Sequence, residues 1–234
     1  MSTPDEVEVS VLMPVFNERW TIERAIDQVA NAEVTSASWE LIVIDDGSDD
    51  GTADILQGRE WPPNVRILRH ERNRGKGAAL RTALAEARGL YATVMDADLE
   101  YSPADLAPLL EPLRNGGADA VFGTRGFQAH SAYSFWYVVG NRAVTFAANL
   151  LYNSWVSDIM TGHKALRTEL FRSLRLRENG FAIEAEITAR LLMRGIRIYE
   201  VPVTYRARTR EEGKKLTALD GLRVIRALLR CRLT

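Results

Sequence analysis

The chain has 234 residues, 46% hydrophobic and 26% charged, with a formal net charge of -1. That is enough apolar material for one sizeable globular domain. It excludes a disordered polymer and gives no electrostatic basis for wholesale nucleic-acid binding. A single cysteine, Cys231, excludes a disulfide within the chain and suits a reducing, cytoplasmic compartment; residues 1–8 are polar, without a signal-peptide core, and no run of about 18 uncharged apolar residues occurs.

In chain order, Val9–Val15 reads as a buried strand, and residues 18–32 have helical spacing with Ile22, Ile26 and Val29 on one face. Residues 40–45 form a second apolar strand ending at Asp45, and the run Asp46-Gly47-Ser48-Asp49-Asp50-Gly51-Thr52 is a turn-and-cap cluster opening a helix near Ala53. Val65–Arg69 is a third strand, residues 75–88 an alanine-rich helix, and residues 91–95 a fourth strand running into Asp96-Ala97-Asp98-Leu99-Glu100. Ser102 and Pro103 start another helix, as N-cap and first-turn residue, and residues 118–122 form a fifth strand. This alternation predicts an α/β domain with a mainly parallel sheet flanked by helices.

The second half differs. Residues 132–153 are apolar and aromatic, interrupted by Asn141 and Arg142, and fit either a core helix or one lying at a membrane interface. Residues 181–194 read as a helix and 196–205 as a strand. Residues 216–233 read as a basic helix with Leu219, Leu222, Ile225, Leu228 and Leu229 near helical spacing. Residues 206–234 carry nine Lys/Arg against three acids, which points to an anionic partner near the C-terminus. The basic helix suits peripheral attachment to anionic lipid, or docking on the core with its arginines reaching solvent, or a lead into a membrane segment beyond Thr234.

In open α/β sheets, ligands bind beyond the carboxyl ends of the strands. Four predicted strand ends carry candidate groups: Pro14-Val15-Phe16-Asn17-Glu18, Asp45-Asp46, Asp96 with Asp98, and Gly123-Thr124-Arg125. If the chain stays extended past residue 95, Asp96, Asp98 and Glu100 share a face. They then form either an oxygen site for Mg2+ or Mn2+ beside substrate phosphates, or a solvated acidic loop. Asp45 and Asp46 can accept hydrogen bonds from a ribose or base, or can simply cap the turn. The segment Asn73-Arg74-Gly75-Lys76-Gly77 allows close backbone approach and puts Lys76 at a helix start, but lacks the Walker spacing. His70, His130 and His163 are scattered without metal-ligand spacing.

Taken together, Pro14-Val15-Phe16-Asn17-Glu18, Asp45-Asp46-Gly47-Ser48, Asn73 to Gly77 and Asp96-Ala97-Asp98 resemble, in order and spacing, the family 2 glycosyltransferases with the GT-A fold. With Gly123-Thr124-Arg125, the run from Ser157 to Lys164 and Glu212-Gly213-Lys214-Lys215, the chain looks most like the dolichyl- or polyprenyl-phosphate mannose and glucose synthases. The resemblance implies one domain over 1–234. Residues 9–125 would be its nucleotide-sugar half, 126–215 its acceptor half and 216–234 its basic helix. Pro14, Val15, Asn17, Glu18, Asp45, Asp46, Lys76, Asp96 and Ala97 would bind a UDP- or GDP-sugar, with Asp45 on the base or ribose. Asp96, Asp98 and Glu100 would hold the metal; Glu100 stands where glutamine is common. Asp98, Glu100 and Arg125 would be catalytic, and Arg125, Arg142, Lys214 and Lys215 would hold the acceptor phosphate. The implied reaction is inverting hexosyl transfer to a polyprenyl phosphate at the cytoplasmic membrane face, with a separate membrane subunit as a further partner. A soluble transferase acting on a hydroxyl and a non-catalytic nucleotide-sugar-binding subunit are the alternatives.

Overall fold

The computed structural model describes residues 7–32, 38–126, 135–208 and 218–233. The elements follow in the order β1 (Val9–Val15), α1 (Ile22–Asn31), β2 (Trp39–Asp45), α2 (Thr52–Gln57), β3 (Val65–Arg69), α3 (Lys76–Glu86), β4 (Tyr91–Val94), α4 (Leu106–Arg114) and β5 (Ala120–Arg125). Then come α5 (Phe135–Tyr152), β6 (Lys164–Arg167), α6 (Thr168–Ser173), α7 (Ile183–Met193), β7 (Ile198–Val203) and α8 (Ala218–Leu233).

They build one seven-stranded sheet in the order β3-β2-β1-β4-β6-β5-β7. Every residue of β1 is buried, because both sheet faces are covered. Alternate side chains feed two cores: Val11, Met13, Leu41 and Val43 pack with α1 and α4, while Leu12, Ile42 and Ile44 pack with α3, α7 and α8. The alanine-rich face of α3, with Ala79, Leu80 and Ala83, lets that helix approach the sheet closely.

The expected mainly parallel sheet is present, with one strand the sequence reading does not contain. β6 runs antiparallel to both β4 and β5 and separates them. Its four residues, Lys-Ala-Leu-Arg, are charged at both ends, so neither alternation nor a long apolar run marks it. Its direction matters: the turn before it, residues 158–163, arrives at the same sheet edge as the carboxyl ends of β1 and β4. His163 Nδ1 lies 3.0 Å from Val94 O, and Gly123 N donates to His163 O at 2.8 Å. The expected helix after Ser102 begins as a single 3-10 turn, Pro103–Asp105, before α4.

Candidate active site

A cleft of about 510 Å³ opens at the carboxyl edge of β1 and β4, lined among others by Pro14, Val15, Glu18, Asp46, Lys76, Asp96, Ala97, Asp98 and Glu100. Gly180 and Phe181 ahead of α7, Arg208 beyond β7, and Asp220 and Arg223 of α8 complete the wall. Nine of the expected site residues therefore meet in one place. Asn17, Asp45, Arg125 and Arg142 are not in that wall. Lys214 and Lys215 lie outside the described residues.

The acids meet differently from the extended-chain expectation. β4 ends at Val94 and residues 97–100 turn, with Leu99 at φ 61, so the three carboxylates do not share a strand face. Asp96 Oδ2 takes Lys76 Nζ at 2.8 Å. Asp98 Oδ1 accepts the Glu100 backbone N–H at 3.0 Å. Burial, then the neighbouring Asp96 and Glu100, push the Asp98 carboxyl up to about 7, with Arg208 pulling against them. Glu100 turns away: its Oε2 accepts the Tyr205 hydroxyl at 2.6 Å and its Oε1 the Arg208 backbone N–H at 2.8 Å. Among the described residues, no three His, Cys, Asp or Glu side chains are gathered as a metal cage. Asp96 and Asp98 remain an all-oxygen donor pair whose mutual repulsion calls for a cation, and that set fits Mg2+ or Mn2+.

Two cationic groups already face this pair. Arg208 reaches Glu18 Oε2 at 2.8 Å and the Asp98 carbonyl at 2.7 Å. Lys76 sits between Asp96 and Glu184 Oε1, the latter 2.9 Å away. Glu184 Oε2 in turn takes Lys164 Nζ at 2.5 Å, and Lys164 also donates to the carbonyls of Ile159 and Thr161. The result is a chain of alternating charge, Asp96–Lys76–Glu184–Lys164, half-buried at Asp96 and Lys76 and fully buried at Glu184 and Lys164. Burial alone would push Lys76 down, but Asp96 and Glu184 raise it well above the ordinary lysine range. Burial alone would raise Glu184, but Lys164 and Lys76 lower it.

The glycine segment before α3 is a correction to the sequence reading. A Cβ on Gly75 would lie 2.4 Å from Asn179 O, and one on Gly77 2.3 Å from Glu178 O. The close backbone approach is thus to the protein's own residues 178–180, and Asn179 O already accepts from Gly77 N at 2.6 Å. Glu186, fully buried, holds that segment in place through the backbone N–H groups of Arg177 and Glu178. Asp46 accepts from Arg74 N and Gly75 N at 3.0 and 2.7 Å, and its Oδ1 is 2.6 Å from His70 Nδ1, so it anchors the same loop.

The other expected residues serve the frame. Asp45, 1% exposed, accepts from Ser48 N at 3.0 Å and pairs with Arg69 at 3.1 Å, behind the cleft wall. Asn17, at φ 53, ties the end of β1 to Asp49 through two side-chain bonds of 2.8 and 3.0 Å. Arg125 is buried in a two-bond fork on Asp158, at 2.6 and 2.9 Å, with a third bond to the Tyr137 hydroxyl at 2.8 Å. Its guanidinium is committed there rather than to a ligand in the cleft. Arg142 is exposed on α5. The sequence reading missed Glu184, Arg208 and the Lys164 pairing. The one available signal for Glu184 was a pair of acids, Glu184 and Glu186, in the first turn of a helix whose other positions are mostly apolar.

The family profile described as Glycosyl transferase family 2 matches residues 10–175. A dolichol-phosphate mannosyltransferase of Pyrococcus furiosus is 29% identical over 214 residues, covering 89% of this chain and 59% of that protein, so the chain spans about three fifths of that relative's length. Glycosyltransferase AglJ of Haloferax volcanii is 32% identical over 225 residues, covering 95% of this chain and 69% of that one. Among solved structures, glucosyl-3-phosphoglycerate synthase from Mycobacterium tuberculosis, in complex with Mn2+, UDP and glucosyl-3-phosphoglycerate, superposes with a TM-score of 0.70 at 25% identity, over 96% of this chain and 80% of that one.

Proposed function

Since the chain belongs to glycosyl transferase family 2 and is a glycosyltransferase of the GT-A fold, we propose that it moves a hexose, with inversion, from a UDP- or GDP-sugar to a polyprenyl phosphate. The observation that carries this reading is the Asp96/Asp98 pair just beyond β4, in a cleft that Lys76 and Arg208 also line. The relatives named for transfer to dolichol phosphate support the acceptor class.

Asp96 and Asp98 would hold Mg2+ or Mn2+, which neutralises charge growing on the leaving diphosphate. Lys76, steadied by Glu184, and Arg208 supply further positive charge at the same wall. An acceptor phosphate is anionic at neutral pH and needs no general base, so holding it is a task for cations. In this geometry Arg208 and the exposed Arg223 of α8 stand at the cleft, and Lys214 and Lys215 follow Arg208 closely in sequence. Arg125 then acts as a positioning residue, holding Asp158 and backing the Tyr205 ring at 4.9 Å.

A soluble anionic acceptor is a second reading, favoured by the solved neighbour whose complexes contain phosphoglyceric acid. One assay separates them. With Mn2+ and a panel of UDP- and GDP-hexoses, product on polyprenyl phosphate but not on phosphoglycerate or free sugars supports the first reading. The reverse pattern removes it.

A further inference from the structure

The segment that leaves β7 is not carried to the cleft by the sheet. β7 is the edge strand, with β5 and β6 between it and β4, and its ladder with β5 ends at Val203 and Arg125. Residues 205–208 nevertheless lie against the acidic turn, and Glu100 holds them at three points. Its carbonyl accepts from Arg206 N at 2.8 Å, its Oε2 from the Tyr205 hydroxyl at 2.6 Å and its Oε1 from Arg208 N at 2.8 Å. Tyr205 adds a bridge to Tyr101, with ring centroids 5.0 Å apart.

Leu99 makes this contact possible. At φ 61 it takes a left-handed backbone that a branched side chain rarely adopts, and the turn aims Glu100 at residues 205–208. With its backbone fixed by Glu100, Arg208 reaches across two strand ends. Its Nε donates to the Asp98 carbonyl at 2.7 Å, and a terminal nitrogen donates to Glu18 Oε2 at 2.8 Å. Arg208 and Glu18 both line the cleft. A long side chain gives up rotamer freedom when it is held in this way, and an anchored backbone lowers that cost.

We infer that Glu100 is a positioning residue that acts through Arg208, with Tyr205 as its partner, and that it stands outside the metal's coordination shell. The inference rests on the reading of this cleft as a nucleotide-sugar site. Both carboxylate oxygens are in use: an ionised carboxylate only accepts, and each oxygen has a donor of its own. Turning Glu100 toward Asp96 and Asp98 would strand the Arg208 N–H and the Tyr205 hydroxyl, and would release the segment that carries Arg208 into the cleft. Arg208 meets the phosphates of the bound nucleotide through charge-assisted hydrogen bonds. The effect of Glu100 is therefore read in nucleotide affinity, with metal or without it.

The test is calorimetry of UDP and GDP binding to the full chain, in Mn2+ and again in EDTA. Glu100→Ala is expected to weaken binding of the preferred nucleotide about ten-fold. Arg208→Ala should do the same, and the double variant should lose no more than either alone. The ratio should persist in EDTA. Glu100→Gln is expected to restore most of the affinity, because its amide oxygen can take the Arg208 N–H while its NH2 faces the Tyr205 hydroxyl oxygen. Tyr205→Phe, which removes one donor and keeps the ring, should weaken binding about three-fold. A residue that served only the fold would lower the melting temperature, and its loss would multiply with that of Arg208→Ala. Losses that multiply overturn the inference. A loss that Glu100→Ala shows in Mn2+ but not in EDTA overturns it too, and assigns Glu100 to the metal. A wild-type chain that binds neither nucleotide overturns it together with the proposed function. Coupled nucleotide binding without transfer to polyprenyl phosphate would strike the proposed function alone.

Discussion

Asp98 carries its charge at a cost, since burial and two neighbouring acids work against ionisation. Asp98→Asn removes one of three mutually repelling groups and should stabilise the metal-free protein by about 1 kcal/mol near neutral pH, read as a rise in melting temperature. The same variant should lose Mn2+-dependent transfer, and full retained activity would remove Asp98 from the metal site. Asp158 is the opposite case. It is the buried counter-charge of Arg125, both side chains being under 5% exposed. Asp158→Asn keeps the shape and strands a buried guanidinium, so a loss of about 3–5 kcal/mol is expected in denaturant titrations. Both residues lie in stretches the sequence singled out, yet only their partners separate an acid crowded by other acids from one that already has its counter-charge.

At the scale of elements, the start of α3 shows how a glycine pattern can be legible while its purpose is not. Gly75-Lys76-Gly77 marks a close backbone approach, and the approaching group is the carbonyl edge of residues 178–180. Gly77→Ala would drive a Cβ to 2.3 Å from Glu178 O, backbone that cannot swing aside. We expect a loss of about 1–3 kcal/mol and, because Lys76 is displaced with the turn, weaker UDP-sugar binding by calorimetry. Gly51 faces open space, yet its φ of 98 also makes substitution there strained, for a purely local reason. The elements that the sequence reading recovered, from β1 to β5, have long apolar runs or caps. Those it lacked, β6 and α6, are four and six residues long, β6 charged at both ends and α6 mostly polar. Their identity comes from the strands that flank them.

For the whole molecule, the antiparallel insertion of β6 buries His163 against Tyr101, ring centroids 4.3 Å apart, and against the end of β4. A carbonyl can only accept, so His163 Nδ1 carries the proton donated to Val94 O, and Nε2 is buried without a partner. Burial holds this imidazole below its usual value of 6.5. The unfolded chain therefore takes up a proton near pH 6.5 that the fold refuses. Stability is full above that pH and is lost as pH falls from 6.5 toward the depressed folded value. His163→Asn, whose amide can replace the Nδ1 donor, should flatten the fall in melting temperature over that window; an unchanged slope would place the acid sensitivity elsewhere. By itself the sequence determined the α/β alternation, the strand ends at which chemistry gathers, and the family, because apolar periodicity and short motifs are local properties of the chain. Only the tertiary structure decided which charges meet. Glu18 and Arg208 stand 190 residues apart yet pair at 2.8 Å, and Lys76 pairs with Glu184 of α7 at 2.9 Å. It also decided that α5 buries Asn141 and Thr145 beside Ala148 while Phe146 and Leu150 stay exposed. Charge pairing and burial depend on distances through space, which the sheet order sets and linear spacing does not.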